Sequence, residues 1–353
     1  LTDIVPRIVG LATARPSQDI HAAFVKWAES RIENDRERAV FARMASRSGI
    51  AHRFAVLPVT ADGGSPVSPG GFYAGDDPTT AARMALYAEH APALALQAIG
   101  GLAQDLSTVT HLVVASCTGF VAPGVDQIIA RQLGLSPSVE RLLVGFMGCY
   151  AAVTALRSAA HIVRSQPEAR VLVVTVELSS LHLNRTGSIE SLLAMLQFGD
   201  GAAAALVCAA GPGLSVEAPF ATTLPESEGL IRWDIGDNGF EMHLSGQVPG
   251  RIADALRDPA LVTTLAGGAP ADVDAWAVHA GGRSILDAVE QGLSLAPDAL
   301  SASRQVLLEG GNMSSATLVF VLARMMERPV SRGVALAFGP GLAAEGFRFR
   351  TVT

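Results

Sequence analysis

The sequence predicts an α/β protein built from two related halves. Three observations carry this. Continuous apolar runs rich in Val, Ile, Leu and Ala alternate with helical stretches, which is how strands buried on both faces read. Apolar residues make up 49% of the 353-residue chain and charged residues 17%, enough for a large core and too few charges for a disordered chain. The two halves also echo one another in spacing: 32 residues separate Cys117 from Cys149, and 33 separate His279 from Asn312. Cys149 stands 22 residues before Val171, and Asn312 stands 22 before Val334. A duplicated strand–helix–strand unit accounts for that match, and a pseudo-twofold axis would bring Cys117, Cys149, His279 and Asn312 to one centre.

In chain order, strands are expected at Arg7–Leu11, His111–Ala115, Arg141–Val144, Arg170–Val176 and Ala202–Val207, then at Ala275–Val278, Val306–Leu308, Val334–Phe338 and Phe347–Thr351. Helices are expected over Ile20–Glu29, Asp35–Ser46, Thr80–Ala98 with Pro92 interrupting it, Gln127–Leu133, Tyr150–Arg164, Ile252–Leu256, Ser284–Gly292, Ser301–Gln305 and Ser314–Met326. Residues 58–78 are rich in Gly, Pro, Ser and Asp and read as a surface excursion. The halves divide at 1–210, with the cysteine, and 211–353, with the histidine and asparagine, as one fused unit.

Composition excludes several classes. A net charge of −7 does not suit a nucleic-acid surface. No apolar run reaches the ~20 residues that span a bilayer. Three cysteines, Cys117, Cys149 and Cys208, do not make a disulfide framework, so a reducing, cytoplasmic setting is expected, with Cys208 in the core. Lys26 is the only lysine, which leaves no residue for Schiff-base chemistry or a phosphate loop. The eight histidines show no metal-binding spacing, and no metal site is expected.

Cys149 follows Gly148 where an Ala-rich helix begins. Orphan N–H groups and the macrodipole favour an anion there, and the thiolate is the reactive form of cysteine. His279 precedes Gly281-Gly282, and Asn312 follows Gly310-Gly311. A thiol beside an imidazole can form an ion pair near neutral pH. An amide N–H and a histidine N–H can donate to an oxyanion. With no carboxylate in the set, the imidazole suits an enolate or a tetrahedral oxyanion better than strong-base work.

These residues and their surroundings resemble the type III polyketide synthases, relatives of plant chalcone synthase, from about Arg7 to Arg350. The resemblance rests on the Cys149 junction, Phe198-Gly199-Asp200-Gly201, His279-x-Gly281-Gly282, Gly311-Asn312-Met313-Ser314-Ser315 and Phe338-Gly339-Pro340-Gly341. Cys117-Thr118-Gly119-Phe120, Pro123-Gly124-Val125-Asp126 and Trp233-Asp234-Ile235 … Met242-His243-Leu244 are similar to bacterial members. The resemblance implies a thiolase-like fold of five layers, α-β-α-β-α, and a homodimer. It implies that Cys149 takes a starter acyl group from acyl-CoA, while His279 and Asn312 hold malonyl-CoA during decarboxylation. It implies no tightly bound cofactor, with coenzyme A thioesters as substrates, and products such as pyrones or resorcinols.

By the same resemblance Phe198 is the gate between tunnel and cavity. Cys117, Thr118, Ser179, His182, Ala194, Met242 and Ser314 fall at pocket positions. His182 either points into the cavity or caps a strand end. Arg43, Arg47, Gly281, Gly282 and Ser284 fall at coenzyme A positions. Val40 stands where the family has a third cation, so the phosphate grip is expected to borrow another arginine, Arg283 or Arg53. The pocket residues depart from plant enzymes and suit an aliphatic or malonyl starter. Competing readings are a ketoacyl synthase III-like enzyme fed by acyl carrier protein, a papain-like thiol hydrolase, and a non-catalytic scaffold. A thiolase would need a second cysteine after Cys208.

Overall fold

The computed structural model describes residues 4–60, 63–185 and 188–353. The chain begins with β1 (Arg7–Ala14), β2 (Gln18–Asp19), α1 (His21–Arg31), α2 (Asp35–Ser46), β3 (Phe54–Ala55), α3 (Thr80–Ile99), β4 (His111–Ser116), α4 (Val125–Gln132) and β5 (Glu140–Gly145). A 3-10 turn, Gly148–Tyr150, leads into α5 (Ala151–Ser165), followed by β6 (Val171–Leu178), α6 (Ile189–Met195) and β7 (Asp200–Cys208). Then come β8 (Gly213–Ser215), β9 (Glu217–Thr223), β10 (Ile231–Gly236), β11 (Gly239–Leu244), α7 (Val248–Ala255), α8 (Pro259–Ala266), β12 (Ala275–Val278), α9 (Arg283–Leu293), α10 (Ser301–Gly310), α11 (Ala316–Met325), β13 (Gly333–Gly339), β14 (Ala343–Phe349) and β15 (Thr351–Val352).

Two sheets carry the fold. One has seven strands in the order β15-β8-β1-β7-β6-β4-β5, and the other has four in the order β12-β13-β14-β9. The duplication shows in their pairing. β4 and β6 are parallel, then β6–β7 and β7–β1 are antiparallel. Likewise β12 and β13 are parallel, then β13–β14 and β14–β9 are antiparallel. Strands β8 and β15 lie beyond residue 210 yet complete the larger sheet.

Helices α5 and α11 lie between the sheets and share one buried cluster with both. Where a helix is squeezed between two sheets, its covered faces must be apolar and slim. On α5, Ala151, Ala152, Ala155, Ala159 and Ala160 are completely buried. Helix α3 packs on the outer face of the large sheet. Helices α7, α9 and α10 pack on the outer face of the small one. The result is the five-layer α-β-α-β-α arrangement of the thiolase-like fold. No helix among the described residues is long and apolar enough to cross a membrane.

Two expectations need correction, and a hairpin and two helices were not expected. Val306–Leu308 is not a strand; it lies within α10, which also absorbs the helix expected at Ser301–Gln305. Three apolar residues fit a buried helix face as well as a short strand, and Gly310 closes the helix. Pro92 does not interrupt α3, which runs unbroken from Thr80 to Ile99 with Pro92 buried in it. Packing of α3 against the sheet outweighs the lost backbone bond. The hairpin β10–β11 had a readable signal, an Asp237-Asn238-Gly239 turn between alternating strands. Helices α6 and α8 also went unread; the first has only seven residues. Residues 63–78 form turns and bends, as expected of an excursion; positions 61 and 62 lie outside the described residues.

The slim central helix leads to a prediction. Ala155→Leu inserts three heavy atoms where nothing can yield, so it should destabilise the protein by about 1–3 kcal/mol. Denaturant unfolding monitored by circular dichroism measures this.

Candidate active site

Chain geometry first explains where each group sits. Gly148 has φ 76°, and a Cβ there would lie 2.5 Å from Pro340 Cδ. Only glycine allows the turn that carries Cys149 past the Gly339-Pro340 corner of the other half. Cys149 occupies the 3-10 turn one step before α5, whose first turn has no side-chain cap. His279 directly follows β12, and its N–H donates to Leu336 O at 2.8 Å, extending the parallel pairing with β13. Asn312 makes an isolated parallel bridge with Phe198. Its N–H donates to Gln197 O at 2.8 Å, and its carbonyl accepts from Gly199 N–H at 3.0 Å. Gly311 has φ 67°, and a Cβ there would meet Gln197 O at 2.7 Å, so the bridge also requires a glycine.

Cys149, His279 and Asn312 line one cavity of about 60 Å³ together with Cys117, Thr118 and Ser314. Beside it lies a cavity of about 840 Å³, lined among others by His182, Ala194, Gly282 and Ser284. Phe198, Ser179, Met242 and Gly281 line both, so Phe198 stands at the junction.

The Asn312 amide has a defined orientation. Its Oδ1 accepts from Ser314 N–H at 2.8 Å, and its Nδ2 donates to Gly281 O at 3.2 Å. The Ser314 hydroxyl and the Asn312 amide both act to lower the pKa of the Cys149 thiol. Ser314 has φ 46°, a strained conformation for a residue with a Cβ. Its hydroxyl also reaches Cys117 Sγ at 3.1 Å.

Both ring nitrogens of His279 are buried without a hydrogen-bond partner among the described residues. Burial pushes its pKa down to about 3. Burial likewise pushes the Cys149 thiol up to about 11, against the opposing bonds from Ser314 and Asn312. The expected thiolate at a helix end is therefore not secured by position alone. Taken singly, each ion is disfavoured. A proton passing from sulfur to imidazole would create opposite charges within one cavity, where each favours the other's ionised form.

Sequence reading missed Glu177. It is completely buried at the core of a polar cluster. Its Oε2 accepts from Cys117 N–H at 3.0 Å and Thr118 Oγ1 at 2.9 Å, and its Oε1 accepts from the Ser315 hydroxyl. Burial pushes its pKa up to about 7, opposed by those bonds. A lone Glu in the apolar run Val171–Leu178 was the available signal.

His182 is structural. Its Nδ1 accepts from Phe240 N–H at 3.0 Å, so Nε2 carries the proton and donates to Thr118 O at 2.7 Å. The ring stacks on Phe240, 4.2 Å between centroids. Trp233 Nε1 donates to Cys117 O at 2.8 Å, so the β10–β11 hairpin is tied to the loop after β4. Arg53, one of the two arginines expected to reach phosphate, is buried instead. Its guanidinium donates to Phe198 O at 2.7 Å and Met195 O at 3.0 Å and lies over the Phe24 ring. It braces the segment that bears Phe198. Arg43 and Arg47 are exposed on and just after the last turn of α2, whose Met44 lines the large cavity.

Comparison with known proteins agrees. Residues 8–212 match the N-terminal domain of chalcone and stilbene synthases, and residues 216–353 match the C-terminal domain. The alpha-pyrone synthesis polyketide synthase-like protein Pks18 of Mycobacterium tuberculosis is 37% identical over 286 residues, 76% of this chain and 72% of its own. The crystal structure of PKS-I from the brown alga Ectocarpus siliculosus superposes with a TM-score of 0.88 at 29% identity, covering 100% of both chains. The C-terminal type III polyketide synthase domain of Steely1 from Dictyostelium gives 0.88 at 26% identity, covering 99% of this chain and 100% of that one.

If the imidazole offsets the desolvated thiolate, removing it strands the sulfur. His279→Ala should slow iodoacetamide alkylation of Cys149 at pH 7 at least ten-fold and move its pH profile toward about 11. Mass-spectrometric alkylation rates across pH 5–11 test this.

Proposed function

The chain belongs to the chalcone and stilbene synthase family and is a type III polyketide synthase, and on that premise we propose how its residues divide the work and what it makes. Cys149 sulfur attacks the carbonyl of a starter acyl-CoA; the acyl–cysteine bond forms and coenzyme A leaves. Malonyl-CoA then enters with its thioester oxygen toward His279 and Asn312. Its carboxylate departs as carbon dioxide, leaving an enolate whose oxygen the two N–H donors stabilise. The enolate carbon attacks the acyl-cysteine, a carbon–carbon bond forms, and Cys149 is released beneath a chain two carbons longer.

The observation that carries this reading is the single small cavity shared by Cys149, His279 and Asn312 and walled by Phe198. Neutrality of the His279 ring suits it as a donor. The apolar ring of Phe198 disfavours a carboxylate and so favours its loss.

The starter we infer is an aliphatic acyl group. Ile20, Ala23, Phe24, Leu57, Leu193 and Met195 line the large cavity, an apolar wall suited to an alkyl chain. Closure to an α-pyrone fits as well. Lactonisation needs only attack of a chain enol oxygen on the thioester carbonyl with loss of the thiolate, and His182, with both nitrogens engaged, offers no free base. The mycobacterial relative is named for that product class.

The active unit we propose is a homodimer. Strand β5 is an outer strand of the large sheet, with Leu142 and Leu143 43% and 47% exposed; Phe120, 44% exposed, lies 5.5 Å from the Phe146 ring that follows the strand. An open apolar edge of this kind is covered in stable proteins. A second copy is the proposed cover.

Two expectations follow. Incubation with a series of acyl-CoA starters and malonyl-CoA should give carbon dioxide and pyrones by mass spectrometry. Cys149→Ala should abolish products while leaving decarboxylation detectable, and Asn312→Ala should lower both at least 100-fold; an Asn312→Ala enzyme that condenses normally would remove that amide from the mechanism. Separately, Leu142→Glu/Leu143→Glu should sediment as a monomer in analytical ultracentrifugation where the parent chain sediments as a dimer.

A further inference from the structure

One wall runs from the small cavity into the large one. The Asn312 amide donates to Gly281 O at 3.2 Å. A Cβ added to Gly281 would sit 3.4 Å from His279 Cδ2, so that ring lies against it. Gly281 lines both cavities, and Gly282 continues the wall in the large one. The side chain of Gln197 lies over Gly282, where an added Cβ would sit 2.8 Å from Oε1 and 3.5 Å from Cδ. Gln197 immediately precedes Phe198 and itself lines the large cavity.

The main chain of Gln197 is committed. Its N–H donates to Ala194 O at 3.1 Å, and its carbonyl accepts from Asn312 N–H at 2.8 Å. Its carboxamide is not committed, for Oε1 is buried without a hydrogen-bond partner among the described residues. Other polar groups of the large cavity are taken. Both nitrogens of His182 are engaged. The Tyr73 hydroxyl donates to Ser180 O at 2.7 Å, and the Ser180 hydroxyl donates to Asp200 Oδ2 at 2.6 Å. A buried acceptor left unpaired is costly, whereas an apolar side chain of the same length carries no such cost.

Ring closure needs groups in the order this wall presents them. The thioester oxygen under attack needs donors, and the attacking enol O–H needs an acceptor that aims it. His279 and Asn312 supply the first, Gln197 supplies the second, and Gly281 and Gly282 join them. Rotation about its terminal bond turns either end of the carboxamide toward the cavity.

We propose that Gln197 binds the enol hydroxyl of the extended chain, aims it at the Cys149 thioester and so determines release as an α-pyrone. This rests on the proposed lactonisation. In a starter extended twice, the former starter carbonyl enolises. Its oxygen bonds the thioester carbon and the carbon–sulfur bond breaks. The hydroxyl proton ends on the Cys149 sulfur, whose protonated form burial favours. Gln197 accepts a hydrogen bond and takes no proton.

The test loads Cys149 with an alkanoyl-CoA starter and adds a short pulse of malonyl-CoA. Intact-protein mass spectrometry follows the bound chain, and liquid chromatography with mass spectrometry follows released products. Gln197→Met keeps the length and removes the acceptor, leaving the main-chain bridge to Asn312 in place. Relative to extension, release of its twice-extended chain should slow about ten-fold, as loss of one hydrogen bond implies. Gln197→Glu, which keeps an acceptor, should restore release. Equal slowing of extension and release would mean that the side chain only shapes the cavity or meets the thioester arm. Unchanged release would mean that it meets no enol, and either result overturns the proposal. A parent chain that releases no pyrone would overturn the lactonisation reading and this proposal with it. Pyrone release by the parent and equally fast release by Gln197→Met would overturn this proposal alone.

Discussion

The backbone bridge between Phe198 and Asn312 joins the two halves beside the cavity that holds Cys149 and His279. It is short, yet much else depends on it. Gly199 and Gly311 must be glycines because Gly310 O, Gln197 O and the Arg53 stem fill the space a Cβ would need. Arg53 is buried beneath it to satisfy Phe198 O. With the bridge in place, the Asn312 amide is held between Gly281 O and Ser314 N–H, in the cavity it shares with Cys149. A second contact, Gly148 against Pro340, sets the position of Cys149. Both contacts are sterically intolerant, and together they fix the separation of groups drawn from distant parts of the chain.

Desolvation follows from that closeness. The site withdraws Cys149, His279 and Glu177 from water, and burial opposes charge on every one of them. Burial thus favours the neutral thiol and the neutral imidazole, while the donors around Glu177 offset part of the cost of its charge. Exclusion of water suits a reaction that makes and consumes enolates, because water would protonate them. The strained backbone of Ser314 belongs to the same economy of space: it places one hydroxyl between Cys117 and Cys149.

The β10–β11 hairpin sets the other boundary. Trp233, Phe240 and His182 pack ring on ring, and their polar atoms bond Cys117 O, Thr118 O and one another's backbone. This rigid wall lies beside the large cavity, while α1 and α6 supply the apolar side. Shape there depends on side chains from segments that are short, irregular or weakly patterned.

Much was legible in the linear chain. The buried strands β4, β6, β7, β12 and β13 announce themselves as unbroken apolar runs, since a strand covered on both faces has no polar alternation. The mirrored spacing of Cys117–Cys149 and His279–Asn312 placed four residues at one centre, because duplicated halves repeat their distances. What the chain could not reveal is set by neighbours remote in sequence. Whether Val306–Leu308 is helix or strand depends on what covers it. Whether an arginine is an internal brace or an exposed cation depends on burial, which separates Arg53 from Arg283. Whether a cavity-lining histidine has a free nitrogen depends on which backbone groups reach it, and Phe240 and Thr118 claim both in His182. Local pattern determined the layers and the reacting groups; tertiary packing alone decided their ionisation, their orientation and the walls around them, because solvent exclusion and hydrogen-bond partnership exist only once distant segments meet.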